Sequence, residues 1–137
     1  MNRISKLLVI YCAVVLLAGC EEPKPLSTGE IIKQVNASGK ITDAQAESLS
    51  KAQYLYLSGL TSINDAQAES LSRVNDLCLN GLTSITDQQA ESLSKVSGLF
   101  LNGLNSITEE QAESLSKVSE LYISEALQPL IDKYKNQ

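Results

Sequence analysis

The sequence of 137 residues contains no histidine. Without an imidazole, the chain cannot assemble the Ser-His and Cys-His pairs that activate nucleophiles, nor a metal site with histidine ligands. Basic residues are also scarce, 11 against 16 acidic ones, and they form no patch that would attract nucleic acid or anionic lipid. We therefore predict that this protein is not an enzyme, has no cofactor or metal and does not bind nucleic acid.

The chain also lacks an apolar run of the ~20 residues that a membrane-spanning helix needs. A shorter apolar run covers residues 7–18; Arg3 and Lys6 precede it, and small residues follow it up to Cys20. A basic start, an apolar middle and a small-residue end are typical of an export signal. We predict that residues 1–19 are a signal peptide.

Residues 17–20 read Leu-Ala-Gly-Cys, which resembles the lipobox of bacterial lipoproteins. The resemblance covers residues 1–20. It implies cleavage before Cys20, a diacylglycerol on the Cys20 sulfur and an acylated amine, and hence a lipid anchor in the cell envelope without a spanning helix. Glu21, in place of aspartate, implies the outer membrane if the bacterium is Gram-negative.

Cleavage and lipidation would change the number of free cysteines and the net charge of the chain. Cys12 would leave with the signal and Cys20 would carry lipid, so Cys78 would be the one free thiol and no internal disulfide could form. Loss of Arg3 and Lys6 would leave nine basic against 16 acidic side chains, a side-chain net charge of −7. The exported part is expected to be acidic.

From residue 41 the chain repeats with a period of 22 residues, and each unit ends its helical part with Ala-Glu-Ser-Leu-Ser. Self-similarity at this period predicts a solenoid. Within a unit the apolar positions begin with helical spacing and finish with alternation, so each unit should be a helix followed by a strand. Stacked strands need less space than stacked helices, which places the strands on the concave side. The units begin at Ile41, Ile63, Ile85 and Ile107.

Each predicted helix begins with a capping box, a threonine or asparagine followed three residues later by glutamine. An acidic residue occupies each first turn, where the helix dipole favours it. A glutamate and a base four residues later predict one weak ion pair per helix. The capping boxes are Thr42–Gln45, Asn64–Gln67, Thr86–Gln89 and Thr108–Gln111, and the ion pairs are Glu47–Lys51, Glu69–Arg73, Glu91–Lys95 and Glu113–Lys117.

The apolar residues Leu77, Leu79, Leu82 and Ile85, in one predicted strand and the turn that follows it, stand at positions that resemble the leucine-rich repeat family. The resemblance covers about residues 41–124. It implies an α/β solenoid, a short stack of helix-strand units with a parallel sheet on the concave face, to which we add helical caps at both ends.

The sequence departs from that family at one turn position, where typical members carry a buried asparagine that bonds the turn backbone. The carbonyl groups of this turn need other partners, and Asn80 and Asn102 are candidates. The residues at the departing position are Leu60, Leu82 and Leu104.

The mature chain begins with a proline-containing stretch that cannot form a core. A capping box at Ser27 and Glu30 then predicts a helix over the first repeat, and a second short helix should cover the last one. The predicted organisation is a signal peptide at 1–19, a lipidated tether at 20–27, an N-terminal helical cap at 28–40, repeats at 41–124 (41–62, 63–84, 85–106 and 107–124) and a C-terminal helical cap at 125–137.

The middle residue of each predicted strand should face outward, because the residues on both sides of it are buried. Exposed aromatic side chains often mark interfaces, although strands also favour aromatic residues and stacked rings stabilise a sheet. We take this column as the candidate partner-binding site: Tyr56, Cys78, Phe100 and Tyr122. The flanking residues Tyr54, Asp76, Gly98 and Glu120 show no common chemistry.

The leading hypothesis is a membrane-anchored interaction module that binds a protein or peptide partner on its concave face, with Tyr56, Phe100 and Tyr122 as anchors. A first alternative is a structural or self-associating surface lipoprotein, and the oligomeric state stays open. A second is a glycan-binding surface protein, since serine and threonine each form a column, although Asn105 interrupts the threonine column. Those columns contain Thr61, Thr83, Ser62, Ser84 and Ser106.

Overall fold

The computed structural model describes residues 26–137. The predicted signal peptide at 1–19, the predicted lipidation site Cys20 and most of the predicted tether at 20–27 lie outside the described residues. From residue 26 to residue 137, the structure contains no helix with the length and apolar character needed to cross a membrane.

Short helices alternate with short strands along the described chain, as the change from helical to alternating apolar spacing predicts. Each repeated helix is seven residues long, too short to be stable alone, so its stability depends on tertiary packing. The elements are α1 (Thr28–Ser38), α2 (Asp43–Leu49), β1 (Tyr54–Tyr56), α3 (Asp65–Leu71), β2 (Asp76–Cys78), α4 (Asp87–Leu93), β3 (Gly98–Leu101), α5 (Glu109–Leu115), β4 (Glu120–Ile123) and α6 (Gln128–Lys135).

The four strands form one parallel sheet in the order β1-β2-β3-β4. Its register pairs Leu55 with Leu77, Leu77 with Leu99, and Leu99 with Leu121, so partners are one 22-residue period apart. A helix connects each strand to the next, as a parallel pair requires, and helices α2 to α6 contact one another in chain order. The prediction of an α/β fold with alternating helices and a parallel sheet is confirmed.

The predicted capping boxes are all present, including the one that begins α1 at Ser27. In α4, the backbone N–H of Gln89 donates to the Thr86 hydroxyl oxygen at 3.1 Å, and the Thr86 N–H donates to the Gln89 side chain at 3.1 Å. A cap of this kind contributes roughly 1 kcal/mol to the free energy of unfolding. The capping residues therefore determine where helices α1 to α5 begin.

The predicted ion pairs one turn apart along each helix are wrong. Helix α2 ends at Leu49 and α4 at Leu93, so Lys51 and Lys95 lie in the turns beyond the helix ends. Without another helical turn, a base at this position is not held beside the glutamate four residues earlier. Within residues 26–137, the ion pair found within 4 Å is the one that joins Lys133 to Glu109.

The core lies between the helices and the inner side of the sheet, and leucines from each unit fill it. Leu71 of α3, Leu77 of β2 and Leu82 of the following turn are each 0% exposed. Alanine occupies the helix face that is fully buried, as at Ala68 and Ala90, and its small side chain allows neighbouring helices to approach closely. One apolar cluster runs through every unit of the described chain.

Successive turns after the strands approach each other through glycine. A β-carbon on Gly81 would fall too close to the carbonyl oxygen of Ser58, and one on Gly103 too close to that of Asn80. A side chain at either position would push the turns apart. The fourth unit has Glu125 at this position, and the chain there leaves the regular pattern for the turn that precedes α6.

Both ends of the stack are covered by helices. Helix α1 buries Ile31 and Val35, and it is capped after Ser38 by Gly39, whose φ of 70° lies in the left-handed region that favours glycine. The Gly39 carbonyl oxygen then accepts a hydrogen bond of 3.0 Å from Thr61 N–H. At the other end, α6 contacts α5 and buries Ile131.

Candidate functional site

The sheet has one face turned away from the helices, which we call the outer sheet face. Leu55, Leu77 and Leu99 point inward and are at most 1% exposed, so their strand neighbours point outward because side chains alternate along a strand. The outer sheet face consists of Tyr54, Tyr56, Asp76, Cys78, Gly98, Phe100, Glu120 and Tyr122.

Three tyrosines make this face apolar and accessible. Tyr56 is 66% exposed, Tyr54 is 64% exposed and Tyr122 is 49% exposed, the highest values among the large hydrophobic side chains of the described residues. The predicted outward direction of Tyr56 and Tyr122 is confirmed. Tyr54 lies two residues before Tyr56 on the edge strand β1 and adds a second exposed ring that the column prediction left out.

Phe100 and Tyr122 form a stacked pair. They are register partners on β3 and β4, and their ring centroids lie 4.4 Å apart with the planes 3° from parallel. Phe100 is half-buried as a result. Aromatic pairs contribute roughly 0.5–1.5 kcal/mol beyond the area they bury. This half of the column therefore stabilises the sheet as well as presenting a surface.

Cys78 departs from the prediction that all four column residues are exposed, because it is only 6% exposed. The Ser58 hydroxyl lies 3.2 Å from the Cys78 sulfur, and the Asn80 amide donates to that sulfur at 3.3 Å. Tyr56 and Phe100 stand beside it on the neighbouring strands. Cys78 therefore separates the two exposed tyrosines of β1 from the Phe100–Tyr122 pair and offers little surface to a partner.

The charged residues of the sheet are all acidic. Within β1 to β4 they are Asp76, which is half-buried, and Glu120, which is exposed. Gly98 lies between them in the register. A β-carbon on Gly98 would collide with Asp76 Oδ1, so the Asp76 side chain leans over Gly98 toward the strand that carries Glu120. The flanking residues show no common chemistry in the sequence, but the sheet places two of their carboxylates beside the aromatic column.

Beyond the strands, the Thr61 side chain and backbone groups hold successive turns together. The Thr61 hydroxyl donates to the Gly39 carbonyl oxygen at 3.0 Å, and the Asn105 N–H donates to the Thr83 carbonyl oxygen at 3.2 Å. Asn80 bonds the turn backbone as expected, but its side-chain oxygen accepts from the Asn102 N–H at 3.0 Å and does not serve a carbonyl group. Toward the turn backbone, Asn80 is therefore an acceptor and not the predicted donor.

Other backbone carbonyl groups, those of the isoleucines just before the helix caps, are bonded by glutamines that sequence reasoning treated only as capping residues. Each buried glutamine donates its side-chain amide to the isoleucine that begins the preceding unit, over 2.8–2.9 Å. The sequence contains one indication of this contact. The capping boxes of the repeats use glutamine, whereas that of α1, which follows no repeat, uses Glu30. The pairs are Gln67 with Ile41, Gln89 with Ile63, and Gln111 with Ile85.

A second set of hydrogen bonds joins the first turn of each repeated helix to the capping residue of the next helix. The Thr86 hydroxyl donates to Asp65 Oδ1 at 3.2 Å, and the first-turn acids Asp43 and Asp87 accept in the same way from the next cap. Since no repeat follows α5, Glu109 accepts instead from two residues of α6.

Those α6 residues are Lys133, whose Nζ lies 3.2 Å from Glu109 Oε1, and Tyr134, whose hydroxyl lies 3.1 Å from Glu109 Oε2. The hydrogen bond from Lys133, then that from Tyr134, holds the pKa of Glu109 below its ordinary value of 4.5. Glu109 correspondingly raises the pKa of Lys133.

Over residues 26–137, the acidic and sulfur-bearing side chains form no group of three or more that could hold a metal ion. Comparisons of the chain with protein-family models, with curated proteins and with solved structures found no match.

Proposed function

We propose that this chain is a lipid-anchored protein of the bacterial cell envelope that binds a protein or peptide partner on its outer sheet face. The observation that carries the proposal is the exposure of Tyr54 and Tyr56, at 64% and 66%, side by side on one strand. Large apolar rings in contact with water favour association, because a partner that covers them removes apolar surface from water. Tyr122 extends the same surface to the far strand.

We propose further that the units form a leucine-rich-like solenoid with the outer sheet face on its concave side. The register of one strand per 22 residues and the contacts between consecutive helices support this arrangement. Parallel strands lie about 4.8 Å apart and packed helices about 8–10 Å apart, so a stack of both bends toward the strands. A concave face surrounds a bound segment and buries more of it than a flat one.

The anchor rests on the Leu-Ala-Gly-Cys sequence at residues 17–20. A lipidated Cys20 would take up radiolabelled palmitate and hold the protein in the membrane fraction. The Cys20→Ser variant, which has no thiol to modify, should lose the label and leave that fraction. Palmitate incorporation by this variant would refute lipidation at Cys20.

The binding face is tested by photocrosslinking in the native envelope. A photoreactive phenylalanine derivative replaces Tyr56 on the outer sheet face or, as the control, Gln88, which is exposed on helix α4. We expect a discrete crosslinked band from the Tyr56 probe alone, and mass spectrometry of that band would identify the partner. No band, or the same bands from both probes, would contradict a partner-binding role for this face.

The Phe100–Tyr122 stack supports a second candidate, a structural or self-associating lipoprotein in which the rings mainly stabilise the sheet. The two candidates differ in how mass depends on concentration. A self-associating protein, purified as the full chain in detergent, gains mass as its concentration rises, whereas a partner-binding protein stays monomeric. Sedimentation over a wide concentration range separates them.

A further inference from the structure

The outer sheet face has a charge pattern that restricts its partner. Its aromatic row contains Tyr56, Phe100 and Tyr122, and the neighbouring row contains Asp76 and Glu120. Asp76 and Glu120 are two strands apart, which separates their α-carbons by about 10 Å. Because Asp76 leans over Gly98, its carboxylate lies toward Glu120 and alongside the row of rings.

No cation on the sheet balances these carboxylates. The strands β1 to β4 contain neither lysine nor arginine. Basic residues of the repeats lie in the turns between helix and strand, before each strand begins: Lys51, Arg73, Lys95 and Lys117. The strands themselves therefore present rings and carboxylates but no positive charge to a partner that lies across them.

We propose that the partner inserts an extended basic segment here, with lysine or arginine side chains lying over the exposed rings and toward Asp76 and Glu120; this inference rests on the proposed function. Aromatic faces attract ammonium and guanidinium groups, and the attraction grows when water is displaced. The carboxylates then pair with the same cations and set the orientation of the segment. An acidic segment would meet repulsion, and an uncharged one would cover the carboxylates without pairing them.

The geometry suits an extended chain. Four strands span about 15 Å, and alternate side chains of an extended segment are about 7 Å apart, so two or three basic residues fit across the sheet. After the predicted cleavage the chain has nine basic against 16 acidic side chains. This net negative charge would accelerate the approach of a basic segment but would not make binding specific. Specificity comes from the rings and the two carboxylates.

The probe is a fluorescent peptide of alternating arginine and serine, with a control peptide in which citrulline, the uncharged isostere of arginine, replaces each arginine. Binding is measured with the full lipidated chain in detergent micelles at about 0.15 M salt, where long-range attraction is screened. We expect the arginine peptide to bind at least about tenfold more tightly than the citrulline peptide. Equal binding of the two peptides would overturn the inference.

Two matched double variants locate the site. Asp76→Asn with Glu120→Gln removes two negative charges from the outer sheet face, and Glu69→Gln with Glu91→Gln removes two from the exposed positions of α3 and α4. The first should weaken binding of the arginine peptide about tenfold, and the second less than about twofold. Equal weakening would mean that the peptide responds only to the net charge, which contradicts a site on this face.

The rings are tested at Tyr56, whose side chain is 66% exposed and makes little contact with the core. Tyr56→Phe keeps the aromatic face and should retain binding, whereas Tyr56→Leu keeps apolar bulk without a π-system and should weaken it several-fold. Equal affinities for both variants would exclude the cation–ring contact. Circular dichroism and thermal unfolding confirm that each variant is folded.

The crosslinking experiment separates this inference from the proposed function. A segment crosslinked to the Tyr56 probe that contains lysine or arginine within three residues of the crosslink supports both. A crosslinked glycan, or a peptide segment that is neutral or acidic, would overturn the inference of a basic segment. A neutral or acidic peptide would still agree with the proposal that this face binds a protein or peptide partner. Absence of any crosslink specific to Tyr56 would overturn both.

Discussion

The side-chain amide of Gln89 donates a hydrogen bond of 2.9 Å to the backbone carbonyl oxygen of Ile63, which begins the preceding repeat. The side-chain oxygen of Gln89, Oε1, accepts a hydrogen bond from the Thr86 N–H at 3.1 Å. Gln89 is only 6% exposed. One side chain therefore starts its own helix and also ties that helix to the unit before it, which a glutamate could not do because a carboxylate has no N–H to donate.

We predict that Gln89→Glu lowers the free energy of unfolding by about 1–3 kcal/mol, because the Ile63 carbonyl loses its partner and a carboxylate is placed in a buried position. Chemical denaturation measures the loss. Gln45→Glu is the matched control, since Gln45 has the same capping role in the first repeat but is half-exposed, and it should change stability by less than about 0.5 kcal/mol. Equal losses would show that the contact between repeats contributes nothing.

The close approach of successive turns predicts opposite effects of alanine at two glycines. Gly103→Ala should destabilise the protein by about 1–3 kcal/mol, because the new methyl group would collide with the Asn80 carbonyl oxygen. Gly29→Ala, in helix α1 with nothing within 4 Å of the new methyl group, should stabilise it by up to about 1 kcal/mol through helix propensity. Thermal unfolding of both variants checks the signs, and a stabilising Gly103→Ala would disprove the tight turn.

The contact between Glu109 and Lys133 predicts a pH dependence at the C-terminal end. Since the pKa of Glu109 is lowered from 4.5 in the folded chain, its contribution to stability is complete above pH 4.5 and is lost as the pH falls through the lowered value. The pKa of Lys133 is raised from 10.5, so its contribution is complete below pH 10.5 and is lost as the pH rises through the raised value. The packing of α6 should therefore weaken at both extremes.

NMR titration of the Glu109 carboxyl carbon tests this contact directly. In Lys133→Met the pKa of Glu109 should rise toward 4.5, because the hydrogen bond that lowers this pKa most is lost. Lys135→Met, which removes the same charge from an exposed position of the same helix, should leave the pKa lowered. The same rise in both variants would indicate a general effect of charge and no specific contact.

The stacking of Phe100 on Tyr122 predicts that these two rings stabilise each other, whereas Tyr56 and Phe100 contribute to stability independently. A double-mutant cycle to alanine at Phe100 and Tyr122 should give a coupling energy of about 0.5–1.5 kcal/mol. The same cycle at Tyr56 and Phe100, which Cys78 separates in the register, should give a coupling within about 0.5 kcal/mol of zero. Similar coupling in both cycles would mean that the column acts as one continuous ladder.

The features that were predictable from the sequence depend on contacts between near neighbours. A capping box is complete within four residues, as at Thr86 and Gln89, so the helix starts follow from the sequence alone. The alternation of Leu77 and Leu79 around Cys78 likewise determines which side of the strand is buried. The 22-residue period then implies that equivalent strands pair, and the parallel register agrees with it.

Features that depend on where an element ends, or on residues about one repeat away, required the tertiary structure. The spacing of four residues between glutamate and base produces an ion pair only in a helix that continues past the base, whereas α4 ends at Leu93, before Lys95. The donor role of Gln89 became visible only with Ile63 beside it. Likewise, Cys78 is covered by Ser58 from the preceding unit, and Phe100 meets Tyr122 across the register. Local sequence determines which groups face outward or begin a helix, but the stacking of one unit on the next decides which of those groups stay accessible, because each unit covers part of its neighbour.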